Sequence, residues 1–197
     1  TYDVFLGGKK IGHHTIRFEK RGAEIKTESE TFMQVKVLFL SAFKYEYLSK
    51  EIWCGDKLLS VDSVTNSNGK NITSRAVLSG EGYDVSANYD GEQSEAFLEG
   101  AMTPSNHWNI ANLEKPALFD TIKAYNFAIN VTQIQPETDT LYAGNRYDIA
   151  GDYTYSTWYD EDDHWQGMSF YREKKHFVEF RSKDCNNTLW PDQAVDN

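Results

Sequence analysis

Apolar and polar residues alternate with a period of two along most of the chain. The alternating runs are short and end at turn-forming residues, which is the pattern of half-buried antiparallel strands. Tyr2 to Leu6 leads into the hairpin turn Gly7-Gly8-Lys9-Lys10, and Ile11 to Lys20 follows up to Arg21-Gly22. Ile25 to Tyr47 reads as a long extended segment, two strands or one strongly bent strand. Asn66-Ser67-Asn68-Gly69 turns the chain between Leu58 to Thr65 and Asn71 to Leu78. Gly80-Glu81-Gly82 and Asp90-Gly91 punctuate two shorter runs, Tyr83 to Tyr89 and Ser94 to Leu98.

The period then changes once. Thr103 to Asn109 is a loop, and Asn109 to Thr121 has helical spacing, with Ile110, Leu113, Ala117, Leu118 and Phe119 as its apolar set. Pro116 limits that stretch to short helical turns. Strands resume with Phe127, Ile129 and Val131 on one face, then Leu141, Ala143, Tyr147 and Ile149. Asp152 to Tyr159 aligns Tyr153, Tyr155, Thr157 and Tyr159, the acidic turn Asp160 to Asp163 follows, and His164 to Tyr171 returns. Beyond it His176, Val178 and Phe180 alternate against Lys175, Phe177, Glu179 and Arg181. So many short antiparallel strands predict an all-β fold, an antiparallel β-barrel or strongly curved sheet, lipocalin-like in shape, with one short helix. No repeat, linker or low-complexity segment divides it. The expectation is a single barrel-like domain over 1–197, a loop and short helix at about 103–121, and an irregular tail at 184–197.

Composition narrows the function classes. The 197 residues are 40% hydrophobic and 25% charged, which is globular rather than disordered usage. Aromatics reach 14%, with 12 Tyr, 11 Phe and 5 Trp, so large apolar surfaces must be buried or must line something. A net charge of -10 argues against nucleic acid as a partner, because phosphate neutralisation needs clustered cations. No apolar run approaches the roughly 20 residues of a membrane span. The chain opens at Thr1, without Met, directly on a strand-like run, as expected of a processed protein that is periplasmic or secreted. In that setting Cys54 and Cys185 are candidates for a disulfide, with two free thiols as the alternative.

Few residues select a chemistry. His107, with Ser105 and Asp120 as polar partners, is the candidate for a proton-transferring group at a barrel mouth. The competing account has Trp108 plugging the core while Ser105 or Asn106 caps the next turn. No Gly-x-Ser-x-Gly is present, and no spacing selects a nucleophile. His13 and His14 are adjacent on a strand and point to opposite faces, and Asp160 to Asp163 lacks the spacing of a calcium loop, so no metal site is expected. The aromatic faces carry the functional expectation. Tyr153, Tyr155 and Tyr159, with Trp165 and Tyr171 on the next strand and Tyr45 and Tyr47 with Phe39 and Phe43 opposite, are placed to line an apolar cavity with Trp108. Lys44 or Arg17 would supply a charge for an acidic head group. The same aromatics would simply fill the core if the barrel is solid.

Several segments occur in a characteristic order. Tyr2-Asp3-Val4 to Gly12 and Val35 to Leu40 come first, and Ser105-Asn-His-Trp-Asn109 and Leu118-Phe-Asp-Thr121 follow. Arg146-Tyr-Asp-Ile-Ala-Gly-Asp152, Trp158-Tyr-Asp160 and His164-Trp165 complete the series. Together they resemble an uncharacterised bacterial family of exported β-rich proteins built on a domain of unknown function. Where that family carries a glycine-containing turn after Leu-Phe-Asp-Thr, this chain reads Ile122-Lys123-Ala124-Tyr125. The resemblance implies export and a curved β architecture, and no chemistry. The expected function is binding or carriage of a hydrophobic small molecule (a lipid, polyketide or isoprenoid) in an aromatic-lined cavity, without a cofactor. The alternatives are a cofactor-free isomerase, cyclase or lyase acting on an apolar substrate, and an envelope structural or interaction protein with a solid barrel.

Overall fold

The computed structural model describes residues 1–37, 40–134, 142 and 144–183. Phe39, Leu141, Ala143, Cys185 and the 184–197 tail lie outside the described residues. Fourteen strands run in chain order: β1 (Tyr2–Leu6), β2 (Lys9–Arg21), β3 (Glu24–Val37), β4 (Leu40–Cys54), β5 (Lys57–Ser67), β6 (Lys70–Ser79), β7 (Gly82–Tyr89), β8 (Glu92–Glu99), β9 (Ala117–Asp120), β10 (Tyr125–Ile134), β11 (Asn145–Gly151), β12 (Tyr155–Tyr159), β13 (Trp165–Arg172) and β14 (His176–Ser182). The Ile25 to Tyr47 segment is thus two strands, β3 and the first half of β4. At 14 and 15 residues they form the longest hairpin, roughly 50 Å of sheet.

All fourteen strands join one antiparallel sheet in the order β8-β7-β6-β5-β4-β3-β2-β1-β14-β13-β12-β11-β10-β9. Two up-and-down meanders, β1 to β8 and β9 to β14, are therefore sewn together where β1 pairs with β14, Val4 opposite Phe180. Two-residue turns make the tight hairpins. Asn68 and Gly69, at φ 53° and 89°, supply the two left-handed residues that a turn matched to strand twist requires. Irregularities between Val4 and Phe5, Val35 and Lys36, Ile52 and Trp53, and Trp158 and Tyr159 bend the long strands. The sheet curls strongly and does not close: β8 and β9 remain its two ends.

The chain between these ends crosses the concave side. The expected helix over 109–121 shrinks there to a five-residue 3-10 turn, Ile110–Glu114, capped by Asn109, whose side chain accepts from Ala111 N at 3.1 Å. Lys115, which precedes Pro116, is extended at ψ 144°, as the proline ring demands, so the residues read as a second helical turn become strand β9. Asn109 is the cap, not Ser105 or Asn106. Pro104 adds a parallel bridge to Phe119, with Phe119 N donating to Thr103 O at 2.7 Å.

Direct cross-strand partners share a face, and this register separates inside from outside. Phe18 opposite Thr27, His14 opposite Thr31, and Tyr47 opposite Thr65 face inward. Trp108 from the crossing segment packs edge-on against Phe18 at 5.2 Å and Trp53 at 6.0 Å. Trp165, Tyr2 and Val4 are fully buried nearby. A second cluster, Leu118, Phe127, Ile129 and Ile149, fills the β9–β11 corner. No helix among the described residues is long and apolar enough to cross a membrane.

Candidate functional site

The concave side is not filled. Its floor is the crossing segment and the tryptophan cluster, and its walls are the inward residues of β2 to β4 on one side and β12 to β14 on the other. Phe43, Tyr45 and Tyr47 project from alternate positions of β4, with Met33 and Val35 from β3 beside them, and Tyr155 and Phe170 stand opposite. All seven are only partly buried although they face the interior, because each borders the open space as well as its packed neighbours. The space is continuous around the rim with a groove on the outer face. There Trp158 stacks on Tyr142 at 4.3 Å, and Arg146 holds Asp148 through Nε and Nη2 at 2.8 and 3.0 Å. The volume over both regions is about 1740 Å³, and the lining is mainly apolar.

Polar groups in this space are held in place. Glu51, buried on the inward parity of β4, accepts from Trp53 Nε1 at 2.9 Å, Thr27 Oγ1 at 3.2 Å and Asn106 Nδ2. Burial raises its pKa, and the three donors only partly offset that. Asn106 Oδ1 in turn accepts from Asn112 Nδ2 at 2.9 Å, so one network ties the crossing segment to the sheet. At the far side the carbonyl of Thr121 accepts from both Ser63 and Ser74, and its hydroxyl lies 2.7 Å from Tyr47 Oη. Burial pushes the Tyr47 hydroxyl up to about 12 and Tyr155 likewise, so both are neutral donors at any physiological pH.

Two histidines flank Trp165. His107 stacks on its ring at 5.5 Å and 25°, and His14 meets it edge-on at 5.6 Å while its Nδ1 lies 2.7 Å from Thr31 Oγ1. Burial drives His107 down to about 4. For His14 burial acts first and nearby His107 adds to it, lowering the value to about 3. Both are neutral imidazoles.

The residues expected at the site separate into groups. Tyr45, Tyr47, Trp108, Tyr153 and Tyr155 line the space, as do Ser105, His107 and Asp120. No hydrogen bond joins Ser105, His107 and Asp120 to one another among the described residues. Ser105 N donates to Phe119 O and His107 O accepts from Tyr159 Oη at 2.8 Å. Asp120 receives Tyr153 Oη, Ile122 N and Lys123 N. Tyr159 and Trp165 are buried in the floor, with Trp165 Nε1 donating to Thr157 Oγ1 at 2.9 Å. Tyr171 sits at the rim on the outer face, 64% exposed and packed on Phe177 at 4.9 Å. Lys44 has the opposite parity from Tyr45 and pairs with Glu46 at 2.8 Å, and Arg17 pairs with Glu28 on the outer surface. Cys54 is a free, exposed thiol at the β4–β5 turn.

Three residues of the site escape a reading of the sequence: Glu51, His14 and Arg172. A signal existed for the first. Glu51 falls in the run Phe43, Tyr45, Tyr47, Ser49, Glu51, Trp53, so a carboxylate occupies the apolar parity of its strand. His14 shares its parity with Ile16 and Phe18 in the same way. Arg172 has no such signal, because its place depends on where the β13–β14 hairpin meets β4.

No curated protein and no solved structure matches this chain. A family model described as a domain of unknown function, DUF6134, matches residues 2–183. That span takes in every strand, the crossing segment and both walls of the cavity. The chain belongs to the DUF6134 family.

Proposed function

We propose that this protein binds a hydrophobic small molecule in the cavity of its curved sheet. The observation that carries the reading is the set of inward-facing apolar and aromatic side chains, Met33, Val35, Phe43, Tyr45, Tyr155 and Phe170, that keep accessible surface inside the fold. Packed cores leave few voids larger than a water molecule. An apolar space bordered by these side chains therefore suits an occupant, as ligand cavities in curved β-sheets do. The neutral hydroxyls of Tyr47 and Tyr155 give such an occupant orientation without a charge in its path.

Proton-transfer catalysis on an apolar substrate is the second reading, since His107 lines the same space. Its pKa weighs against it. A general base works best near the operating pH, and an imidazole at about 4 is a weak one. Carriage is the stronger reading.

The test is to extract the purified protein with organic solvent and to compare native with denaturing mass spectra. A co-purifying apolar molecule in near-stoichiometric amount is the expected result. A protein that emerges empty and shows no mass shift after soaking in mixed lipids would overturn it.

A further inference from the structure

The cavity has a chemically distinct mouth. The β13–β14 hairpin turns through Glu173 and Lys174, both in the left-handed region at φ 53° and 58°, and carries Arg172, Lys174 and His176 to the edge of the open space. Inward parity on β13 is shared by Met168, Phe170 and Arg172, so Arg172 continues the apolar wall upward and ends it in a cation. Its guanidinium lies over the ring of Phe43 on β4, 4.5 Å from the centroid, and thus spans the gap between the two walls. A molecule of net charge -10 gathers three basic side chains here.

The Arg172 guanidinium also has capacity to spare. A ring stacked under a guanidinium engages its face and leaves the N–H donors at its edge available. Among the described residues the carboxylate that comes near it is Glu173, at 4.0 Å, outside hydrogen-bond reach. By contrast Arg146, Arg181 and Arg75 each hold a carboxylate at 3.0 Å or closer. Below Arg172 the wall begins apolar, at Val35, Met33, Phe43 and Phe170, and carries hydroxyls deeper down, at Tyr47, Thr31 and Ser29. From Val35 to Ser29 on β3, four of the seven residues line the space, over roughly 20 Å of strand. One extended acyl chain accounts for half of a bilayer core, roughly 15 Å.

We infer that the ligand is an amphiphile with a single anionic head group, a carboxylate or a phosphate. Arg172 holds the head at the mouth with help from Lys174 and His176, and the tail descends between Phe43, Tyr45 and Phe170 toward His107. This rests on the reading of the cavity as a binding site and adds polarity and orientation to it. Arg172 suits the role because its planar fork pairs with two oxygens of either head group. Lys44, the charge that the sequence suggests for an acidic head, points away from the cavity.

The experiment titrates the full chain with dodecanoate, dodecyl phosphate and 1-dodecanol, following tryptophan fluorescence and confirming by native mass spectrometry. Both anions are expected to bind about tenfold or more tighter than the alcohol, the worth of one charge-assisted contact. R172Q should collapse that preference, bringing both anions to within a fewfold of 1-dodecanol, and R172K should keep part of it. K174Q should weaken both anions by a smaller factor, which covers the case of an R172Q protein that folds poorly. Whichever anion binds tighter names the head group. Equal affinity for the alcohol and both anions, unmoved by R172Q, would overturn the inference and leave the cavity reading intact. Binding by none of the three would overturn the cavity reading itself.

Discussion

Asn106 donates its side-chain amide to both oxygens of Glu51, at 3.2 and 3.1 Å, across a separation of 55 residues. The contact joins the chain that crosses the cavity to the long strand that forms its wall. It also fixes where the floor lies, because His107 and Trp108 follow Asn106 directly. A carboxyl group buried in this way has a measurable signature.

Burial holds the Glu51 proton above its ordinary 4.5. Between that value and the raised one, the folded protein keeps a proton that the unfolded chain has released, so rising pH destabilises the fold across that window. Glu51→Gln removes the titration. Its stability relative to wild type should therefore improve from pH 4 to pH 7 in urea unfolding. A constant difference across that range would count against the argument. Glu51→Ala should cost about 2–4 kcal/mol at pH 4, since it strands buried donors on Trp53 and Asn106, and less as pH rises, because it too removes the titration.

The histidines act with the opposite sign. His107 and His14 titrate at about 4 and about 3 in the fold and near 6.5 when unfolded. Their contribution is complete above pH 6.5 and is lost as pH falls toward the folded values, because the unfolded chain takes protons that the fold refuses. At about 1.4 kcal/mol per pH unit, each removes about 2 kcal/mol between pH 6.5 and 5. His107→Gln should flatten acid unfolding over this range, whereas Glu51→Gln should steepen it. Parallel acid profiles for His107→Gln and wild type would refute the assignment.

Ser63 and Ser74 share one acceptor, the carbonyl of Thr121, where the turn after β9 docks on the inner face of β5 and β6. Loss of one serine leaves the carbonyl bonded. Loss of both leaves a buried acceptor unsatisfied, about 1–3 kcal/mol beyond the first loss. A double-mutant cycle of Ser63→Ala and Ser74→Ala should show that excess as coupling, and additive costs would show that the carbonyl finds another donor.

Ala124 lies in the turn between β9 and β10, and its φ is 59°. The left-handed region costs a side chain with a Cβ about 1–2 kcal/mol, part of which glycine returns through greater unfolded-state entropy. Ala124→Gly should raise stability by about 0.5–1 kcal/mol. Thermal unfolding reads the gain, and a lower midpoint would show that the turn relaxes some other way.

Met33 reaches into open space from β3. Met33→Trp should occupy part of the cavity, reducing uptake of an apolar ligand at least tenfold while shifting the thermal midpoint by only a few degrees. A large loss of stability would mean that the volume around Met33 is already filled.

Strand existence and parity were legible from the chain itself. The alternation of Phe43, Tyr45, Tyr47 and Trp53 against Lys44, Glu46 and Lys50 puts the aromatics inside and these charges outside with no reference to a partner strand. On that evidence Lys44 was already on the wrong side to hold a head group, and Glu51 was already on the inner side. The segment 109–121 was not legible to the same degree, because Ala117, Leu118 and Phe119 form a short apolar run that helix and strand patterns share.

What the sequence determined by itself is therefore local: which residues alternate, where Asn68-Gly69 turns the chain, and which face of each strand is apolar. Those properties depend on backbone preferences and neighbours within a few positions. Only the tertiary structure decided that β1 pairs with β14, that β8 and β9 stay apart as ends of an open sheet, and that Arg172 meets Phe43 at the mouth. Each of these joins residues far apart in the chain, and alternation carries no information about partners. The cavity arises there too, since a void is a property of how the walls meet and belongs to no single strand.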